Sequence, residues 1–357
     1  MGSWSFALKI TVTADVHLRE RSETPERYRA LENVLEQSRT ERISEVIIAG
    51  DLFDRELRNY ADFEAVCRQY GELQIHVIPG NHDPGINQRS FVGENIRVYD
   101  TPETVDIDRT SFMFLPYAPA STMAQCIAEY GGRPVGDLWV LVGHGDYYGG
   151  VREPNPLEPG TYMPLTRSDV EELGMQAVLL GHIHKADQWG AVTYVGSPCG
   201  LDINETGVRH FLLFDTANGA MEQRAIDTEH IYFVESFVVM PVENEVNILQ
   251  EEIERRISAW ELDAGRLSKV CVRVSAAGYA RDRRAVHDAL ANGFAAFKYY
   301  GDAGPNTDEL LMATDDQLNA IAQRTREIID ELDWDFGGDE PEREDVLMAA
   351  LATIYGR

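Results

Sequence analysis

The sequence contains very little lysine and a large excess of acidic residues. Lysine stands only at positions 9, 185, 269 and 298, and 60 Asp and Glu residues against 32 Lys and Arg give 357 residues a formal net charge of -28. Either a salt-rich cytoplasm or an acidic, arginine-preferring proteome accounts for such a composition. The charge repels polyanions at long range and disfavours simple DNA binding through a basic patch. Activity on nucleic acid would therefore need local arginines, bound cations or a basic partner.

Cysteine pairs and long apolar runs are also missing. The four cysteines stand far apart, without C-x-x-C spacing, at positions 67, 126, 199 and 271. This pattern disfavours a zinc ribbon or a disulfide framework and indicates reduced thiols. No apolar run approaches the roughly 20 residues that span a bilayer, and no basic, apolar leader precedes the first predicted strand. We therefore expect a cytoplasmic protein without a membrane partner.

Short β-branched segments alternate with amphipathic helices along most of the chain. The segments "FALKITVTAD", "EVIIAGD" and "LQIHVIPG" predict strands, and the intervening residues from Pro25 to about Arg42 and over 60–71 predict helices. Ser168 and Glu171 have the spacing of a helix capping box. The alternation predicts an α/β fold, with sheets covered by helices.

The pattern changes near residue 230, where a strand, a helix and a strand predict a small β-α-β cap. We predict three regions: a large domain over 1–225, a small α/β cap over 226–280 and a helical C-terminal region over 281–357. The last predicted helix, over about 342–355, carries an apolar stripe of Val346, Leu347, Leu351 and Ile354. This stripe could dock a partner coiled coil or pack on its own domain.

Five predicted strands end in groups that can carry chemistry. In α/β folds such groups collect beyond the carboxyl ends of the strands. In chain order, the strand ends present Asp15 and His17, Asp51 and Asp54, Asn81, His82 and Asp83, then His144, then His182 and His184. Independent surface histidines do not produce this order, so the pattern indicates a shared site. By contrast, His76, His210, His230 and His287 lack partners at metal-ligand spacing, and we interpret them as structural.

The ordered blocks D-x-H, G-D-x-x-D, G-N-H-D, G-H and G-H-x-H resemble the calcineurin-like metallophosphoesterase superfamily. The resemblance implies a four-layer β-sandwich flanked by helices, with two divalent metal ions in its active site. It assigns one metal to Asp15, His17, Asp51 and His184, and the other to Asp51, Asn81, His144 and His182. His82 would then be catalytic, protonating or orienting the leaving oxygen. Asp54 and Asp83 would support the ligands, Asp54 by orienting one of them and Asp83 by holding its turn.

The proposed ligand types bear on the identity of the metal. A mixture of imidazole, carboxylate and amide ligands suits Mn²⁺, Fe²⁺ or Zn²⁺ better than Mg²⁺ or Ca²⁺. The resemblance implies Mn²⁺, with Fe²⁺ and Zn²⁺ as alternatives. Two such cations would hold an anionic phosphodiester and activate a water molecule.

The segment after the last block resembles the SbcD-type DNA repair exonucleases. It continues the G-H-I-H-K block with a Y-x-G-S-P turn and an E-x-G segment, at Tyr194, Gly196, Ser197, Pro198, Glu205 and Gly207. This resemblance implies Mn²⁺-dependent exonuclease and endonuclease activity on DNA in repair, a homodimer and an SMC-like ATPase partner of SbcC type. Four residues after His144 could contact nucleic acid or belong to a solvated loop: Tyr147, Tyr148, Arg152 and Tyr162.

Two other functions stay open at the level of the sequence. The acidity and the absence of a basic stripe favour a phosphodiesterase or phosphatase acting on a small molecule or a phosphoprotein. However, the phosphoprotein phosphatase branch has G-D-x-V-D-R-G and G-N-H-E, whereas Arg55 is followed here by Glu56 and the third block is "GNHD". A non-catalytic scaffold with the same fold would have lost ligands, and all the blocks are intact.

Overall fold

A computed structural model describes residues 8–54, 60–131, 138–149, 160–332, 334 and 341–356. The chain divides into two compact units. The first unit comprises residues up to 200 together with 208–229, and the second comprises 201–207 together with the residues from 230 onward. The boundary predicted at residue 225 therefore lies four residues from the end of the first unit, and the boundary predicted at 280 lies inside the second.

The first unit contains fourteen strands and four α-helices among its described residues. The strands are β1 (Lys9–Thr13), β2 (Glu45–Ala49), β3 (Gln74–Ile78), β4 (Ile96–Val98), β5 (Glu103–Ile107), β6 (Thr110–Phe114), β7 (Leu138–His144), β8 (Tyr147–Tyr148), β9 (Leu165–Thr166), β10 (Ala177–Gly181), β11 (Asp187–Trp189), β12 (Val192–Tyr194), β13 (His210–Asp215) and β14 (Met221–Ala225). The helices are α1 (Pro25–Thr40), α2 (Tyr60–Gln69), α3 (Met123–Tyr130) and α4 (Arg167–Leu173).

Two six-stranded sheets form the centre of this unit. The first sheet has the order β14-β13-β1-β2-β3-β4 and the second the order β11-β12-β10-β7-β6-β5. Strands β1 to β4 are parallel to one another, as are β12, β10, β7 and β6. Parallel neighbours end at the same edge of their sheet, which places the loops that follow them side by side.

Strand β2 shows how the layers are built. Its side chains alternate between the two faces of the sheet. Val46 and Ile48 pack in a cluster with residues of α1 and α2, such as Leu31. Ile47 and Ala49 lie in a second cluster shared with the other sheet, while α3 and α4 cover the outer face of that sheet. Helix, sheet, sheet and helix therefore form four layers, which confirms the predicted fold class.

The second unit is a smaller α/β structure around a third sheet. Its described elements are β15 (Ile231–Val239), α5 (Glu245–Ala259), α6 (Ala264–Leu267), β16 (Val270–Ala280), α7 (Arg283–Gly293), β17 (Lys298–Tyr299), β18 (Leu310–Met312), α8 (Asp316–Asp330) and α9 (Arg343–Tyr355). Strand β16 pairs in parallel with β15, β17 and β18. The predicted β-α-β order is thus present as β15, α5 and β16.

The C-terminal residues complete this second unit. Besides α7, α8 and α9 they include the short strands β17 and β18. The sequence did not predict these two strands, because strands of two or three residues are too short to show alternation. The apolar stripe of α9 packs inside the unit, where Leu347 and Leu351 are buried beside Met240 and Tyr279. Of the two interpretations of this stripe, the contacts correspond to packing on its own domain.

The helix boundaries follow the sequence closely, with one error of register. The capping box predicted at Ser168 and Glu171 lies two residues earlier, where Thr166 and Asp169 cap α4 reciprocally. Both pairs satisfy the same spacing rule. The extended backbone at Thr166 makes this residue the N-cap, so the capping box forms between Thr166 and Asp169. Among the described residues, no helix has the length and apolarity needed to cross a membrane.

Candidate metal centre

The five polar strand ends meet at one place in the first unit. Asp15, Asp51 and Asn81 follow the adjacent strands β1, β2 and β3 of the first sheet. In the second sheet, His144 ends β7 and His182 directly follows the adjacent strand β10. Backbone hydrogen bonds extend the pairing of β1 and β2 past their ends, from Asp15 N–H to the Gly50 carbonyl at 3.1 Å and from His17 N–H to the Asp51 carbonyl at 3.0 Å. The two sheets therefore contribute to a single cluster.

One half of the cluster contains Asp15, His17 and His184. One ligand atom from each of these side chains lies within 4.8 Å of the others. The Nε2 atoms of His17 and His184 face each other at 3.1 Å. Two neutral imidazoles in that position can share one proton at most, whereas both can bind the same cation.

The other half contains Asn81, His144 and His182. The side-chain oxygen of Asn81 lies 2.7 Å from His144 Nε2 and 3.0 Å from His182 Nδ1. An amide oxygen and two imidazole nitrogens are suitable ligands for a transition-metal cation. The donor set therefore fits the second of the two metals that the resemblance implies.

Asp51 lies between the two halves. Its Oδ2 atom is 3.6 Å from His17 Nε2 and 3.3 Å from His144 Nε2. Its other oxygen accepts a hydrogen bond from the backbone N–H of His82 at 2.9 Å, which orients the carboxylate. Asp51 thus has the position that a ligand shared by two cations requires.

Backbone groups orient other members of the cluster. The Nδ1 atom of His144 lies 3.1 Å from the carbonyl oxygen of Ala49, which favours a proton on Nδ1 and directs Nε2 towards the cluster. The backbone N–H of His182 donates to both oxygens of Asp15, at 2.9 and 3.1 Å. These contacts join the end of β7 to that of β2, and the end of β10 to that of β1.

The backbone is strained at these positions. Asp15, His17, Asp51 and His182 have positive φ angles of 52°, 50°, 49° and 95°. Each such conformation costs a non-glycine residue about 1–3 kcal/mol, and such costs concentrate at functional sites. Four of the proposed ligands are therefore held in conformations that stability alone does not favour.

Burial and mutual charge shift the proton affinities of the cluster. Burial lowers the pKa of His17 to about 3, which keeps its imidazole neutral. Burial alone would also lower the pKa of His144, but the charges of Asp51 and Asp15 raise it to about 9. Burial opposes ionisation of Asp51, yet contacts with His144 and His17 hold its pKa well below the usual range. The cluster therefore contains an ionised carboxylate and a neutral histidine at its centre.

His82 stands beside the first half of the cluster, paired with Asp54. Its Nδ1 atom is 3.3 Å from Asp54 Oδ1, and its ring is 4.7 Å from that of His17. Asp54 also accepts a hydrogen bond from Arg19 at 2.8 Å and lies 3.5 Å from a guanidinium nitrogen of Arg27. Burial raises the pKa of Asp54, but the contacts with His82 and Arg19 outweigh it and hold that pKa well below the usual range. No sequence pattern indicated the two arginines, because they lie in the loop after β1 and in α1.

Asp83 holds the turn that presents Asn81 and His82. Its carboxylate is buried and accepts hydrogen bonds from the backbone N–H groups of Gly80 at 2.7 Å and Phe53 at 2.9 Å. Burial, reinforced by the charge of Asp51, raises the pKa of Asp83.

Outside the cluster, His76 contacts Tyr99 and Glu45, each at 2.7 Å, in a structural arrangement.

Of the tyrosines predicted after His144, two lie near the cluster and one packs away from it. The ring of Tyr162 lies 4.7 Å from the ring of His182, and the hydroxyl of Tyr148 donates to Asp146 at 3.1 Å. Tyr147 instead stacks against Trp189, with ring centroids 6.1 Å apart. Arg152 lies outside the described residues. Asp146 was not predicted as a site residue, although its position two residues after His144 follows the same i, i+2 rule as Asp15 and His17.

Gly181, directly before His182, lies where the backbone of β2 and the ring of His144 approach it closely, so a substitution there tests how tightly the cluster is packed. A Cβ atom on Gly181 would overlap the carbonyl oxygen of Ala49 and lie 2.7 Å from His144 Nδ1. We expect Gly181→Ala to destabilise the fold by about 1–3 kcal/mol, the usual cost of overpacking, measured as a lower midpoint of urea unfolding. Gly71→Ala is the matched control, because its nearest contact would be at 3.8 Å. Equal midpoints for the two variants would contradict the close approach.

Comparison with known proteins gives matches for the region that contains this cluster. A family model described as calcineurin-like phosphoesterase matches residues 8–186. The chain is 23% identical over 271 residues to the uncharacterized metallophosphoesterase YhaO of Bacillus subtilis strain 168. That similarity covers 71% of this chain and 64% of YhaO, so the chain spans slightly less than two thirds of that relative.

Among solved structures, the chain is similar to the protein TT1561 of Thermus thermophilus. The similarity covers 62% of this chain and 99% of TT1561. The TM-score is 0.41 and the sequence identity is 13%.

The family match includes the five blocks from Asp15 to His184 and half of the 357 residues. The chain therefore belongs to the calcineurin-like phosphoesterase family.

Proposed function

We propose that this chain is a metal-dependent phosphodiesterase that cleaves DNA. The observation that supports hydrolysis is the convergence of carboxylate, imidazole and amide groups around Asp51. The choice of DNA rests on the SbcD-type segment from Tyr194 to Gly207. We also propose Mn²⁺ as the native cation, because that resemblance implies it and the mixed ligands suit it.

The side chains have separate tasks in this mechanism. When bound, two neighbouring divalent cations supply the positive charge that holds an anionic phosphodiester and activates a water molecule for attack. Asp15, His17 and His184 would hold one cation, Asn81, His144 and His182 the other, and Asp51 both. The hydrogen bonds that Asp15 and Asp51 accept from backbone N–H groups fix the carboxylates before substrate arrives.

His82 would act on the leaving group. Asp54 faces Nδ1 of His82 and favours a proton on that atom, and Arg19 holds Asp54 in place. In the imidazolium form, the Nε2–H of the same ring would donate a hydrogen bond to the leaving oxygen and transfer its proton to it. This role needs no bond between His82 and a cation.

A phosphodiesterase acting on a small molecule is the second candidate, and the net charge of -28 favours it. Long-range repulsion slows the approach of a polyanion far more than that of a small diester. The DNA proposal requires the cations and nearby arginines such as Arg19 to overcome that repulsion locally.

One pair of assays separates the two candidates. Supercoiled plasmid and bis(p-nitrophenyl) phosphate are each incubated with the protein and Mn²⁺, with an EDTA-treated sample as control. The DNA proposal predicts nicked or degraded plasmid as well as chromophore release. Turnover of the small diester with intact plasmid would overturn the DNA proposal, and no turnover of either would overturn phosphodiester hydrolysis itself.

The homodimer and the SbcC-type ATPase partner remain predictions from the resemblance. The packing of Leu347 and Leu351 inside the second unit removes these two α9 residues from the proposed docking surface. Co-purification with such an ATPase and the mass of the protein in solution are the measurements that test these two predictions.

A further inference from the structure

We propose that Asp146 is a positioning residue that fixes the orientation and the tautomer of His182, and thereby strengthens cation binding by Asn81, His144 and His182. The proposal depends on the proposed function only in requiring that this half of the cluster binds a divalent cation. None of the five sequence blocks contains Asp146.

The two nitrogens of His182 face different groups. Nδ1 lies 3.0 Å from the side-chain oxygen of Asn81, within the cluster. Nε2 lies 3.4 Å from Oδ1 of Asp146, on the other side of the ring. A neutral imidazole carries one N–H, and a carboxylate opposite Nε2 favours the proton there. Nδ1 then keeps the lone pair that a cation requires.

Asp146 is itself held firmly. Its backbone N–H donates to the Tyr162 carbonyl at 2.7 Å, and its own carbonyl accepts from Leu165 N–H at 2.8 Å. Its Oδ2 atom accepts from Tyr162 N–H at 2.8 Å and from the Tyr148 hydroxyl at 3.1 Å. With Oδ2 engaged, the carboxylate cannot rotate without breaking these bonds. Oδ1 is therefore kept opposite His182.

His144 has a comparable partner, a neutral carbonyl oxygen at a shorter distance. Its Nδ1 faces the Ala49 carbonyl at 3.1 Å, which leaves Nε2 beside Asn81. Partners of this kind orient metal-binding histidines, and their loss typically lowers metal affinity by about 10- to 100-fold. A carboxylate is the stronger of the two partners, because its charge also stabilises the positive charge that a bound cation brings.

The test uses Asp146→Asn, which preserves size and an oxygen for Tyr162 N–H and the Tyr148 hydroxyl. We expect Mn²⁺ titration calorimetry to show one of two sites weakened by about 10- to 100-fold. At sub-saturating Mn²⁺, electron paramagnetic resonance should show fewer coupled ion pairs and more isolated ions. Asp187→Asn, at an exposed position on β11, is the control and should match the wild type.

Three results would overturn the proposal. If wild-type protein binds two cations and Asp146→Asn binds both equally well, Asp146 does not position His182, while the proposed function is untouched. If the metal-free variant unfolds at a markedly lower temperature than metal-free wild type, the residue acts on the fold instead. If wild-type protein binds no divalent cation, this inference and the proposed function fail together.

Discussion

A His82→Asn variant should lose about 10²- to 10⁴-fold in turnover, the usual contribution of a general acid, while it retains the metal content of the wild type. The reason is geometric: the Nδ1 atom of His82 faces Asp54 at 3.3 Å, and the hydrogen bond to Asp51 comes from the backbone N–H, which asparagine preserves. Turnover of bis(p-nitrophenyl) phosphate and metal content by mass spectrometry are the two measurements.

The structure also contains a competing arrangement for this residue. Ligand atoms of His17, Asp54 and His82 lie within 4.8 Å of one another, so these three could hold a cation themselves. Loss of one metal from His82→Asn would favour that arrangement and would show that the proposed set of ligands is wrong. His287→Asn is a suitable control, because it makes the same change at a partly exposed histidine of the second unit.

Replacement of Asp51 by alanine should have the second large effect. Asp51 Oδ2 is the oxygen that faces both His17 and His144. Its removal takes a ligand and a negative charge from both proposed cation sites. We expect at least one site to be empty and the affinity of the other to fall by more than about 100-fold, since even an outer partner of a ligand contributes about 10- to 100-fold.

Two further measurements keep this prediction interpretable. Asp51→Asn preserves the shape and an acceptor for the His82 N–H while it removes the charge, so it should also lose metal. Asp187→Ala removes an exposed carboxylate and should leave both metals bound. Circular dichroism of the metal-free variants excludes unfolding as the cause. Wild-type metal stoichiometry in Asp51→Ala would contradict a shared ligand.

The amino-acid sequence predicted much of the first unit because its signals are local. β-Branched segments such as "EVIIA" mark the strands, and the polar groups beyond them stand at fixed offsets from each strand end. The assignment of each ligand to one of two metals came from the family that these blocks resemble. Short elements were missed for the same reason: β17 and β18 have two and three residues, too few to show a period.

Tertiary contacts account for the features that the sequence did not reveal. Arg19 and Arg27 reach Asp54 because the loop after β1 and α1 lie beside the end of β2. Asp146 reaches His182 because β7 and β10 are parallel neighbours whose ends coincide. Neither relation is encoded by spacing along the chain, since the partners are 27 to 36 residues apart.

The order of the residues predicts which chemical groups end each strand, because local alternation and glycine turns mark the strand ends. Which atoms face one another depends on tertiary contacts. Asp51 lies between two histidines, His144 and His182 direct different ring nitrogens at Asn81, and Asp146 lies beside the other nitrogen of His182. The contacts of Asp51 and Asn81 with His144 and His182 cross between two separate sheets, so they exist only once the apolar faces of those sheets have packed together. Asp146 reaches His182 within one sheet, where the parallel strands β7 and β10 end side by side.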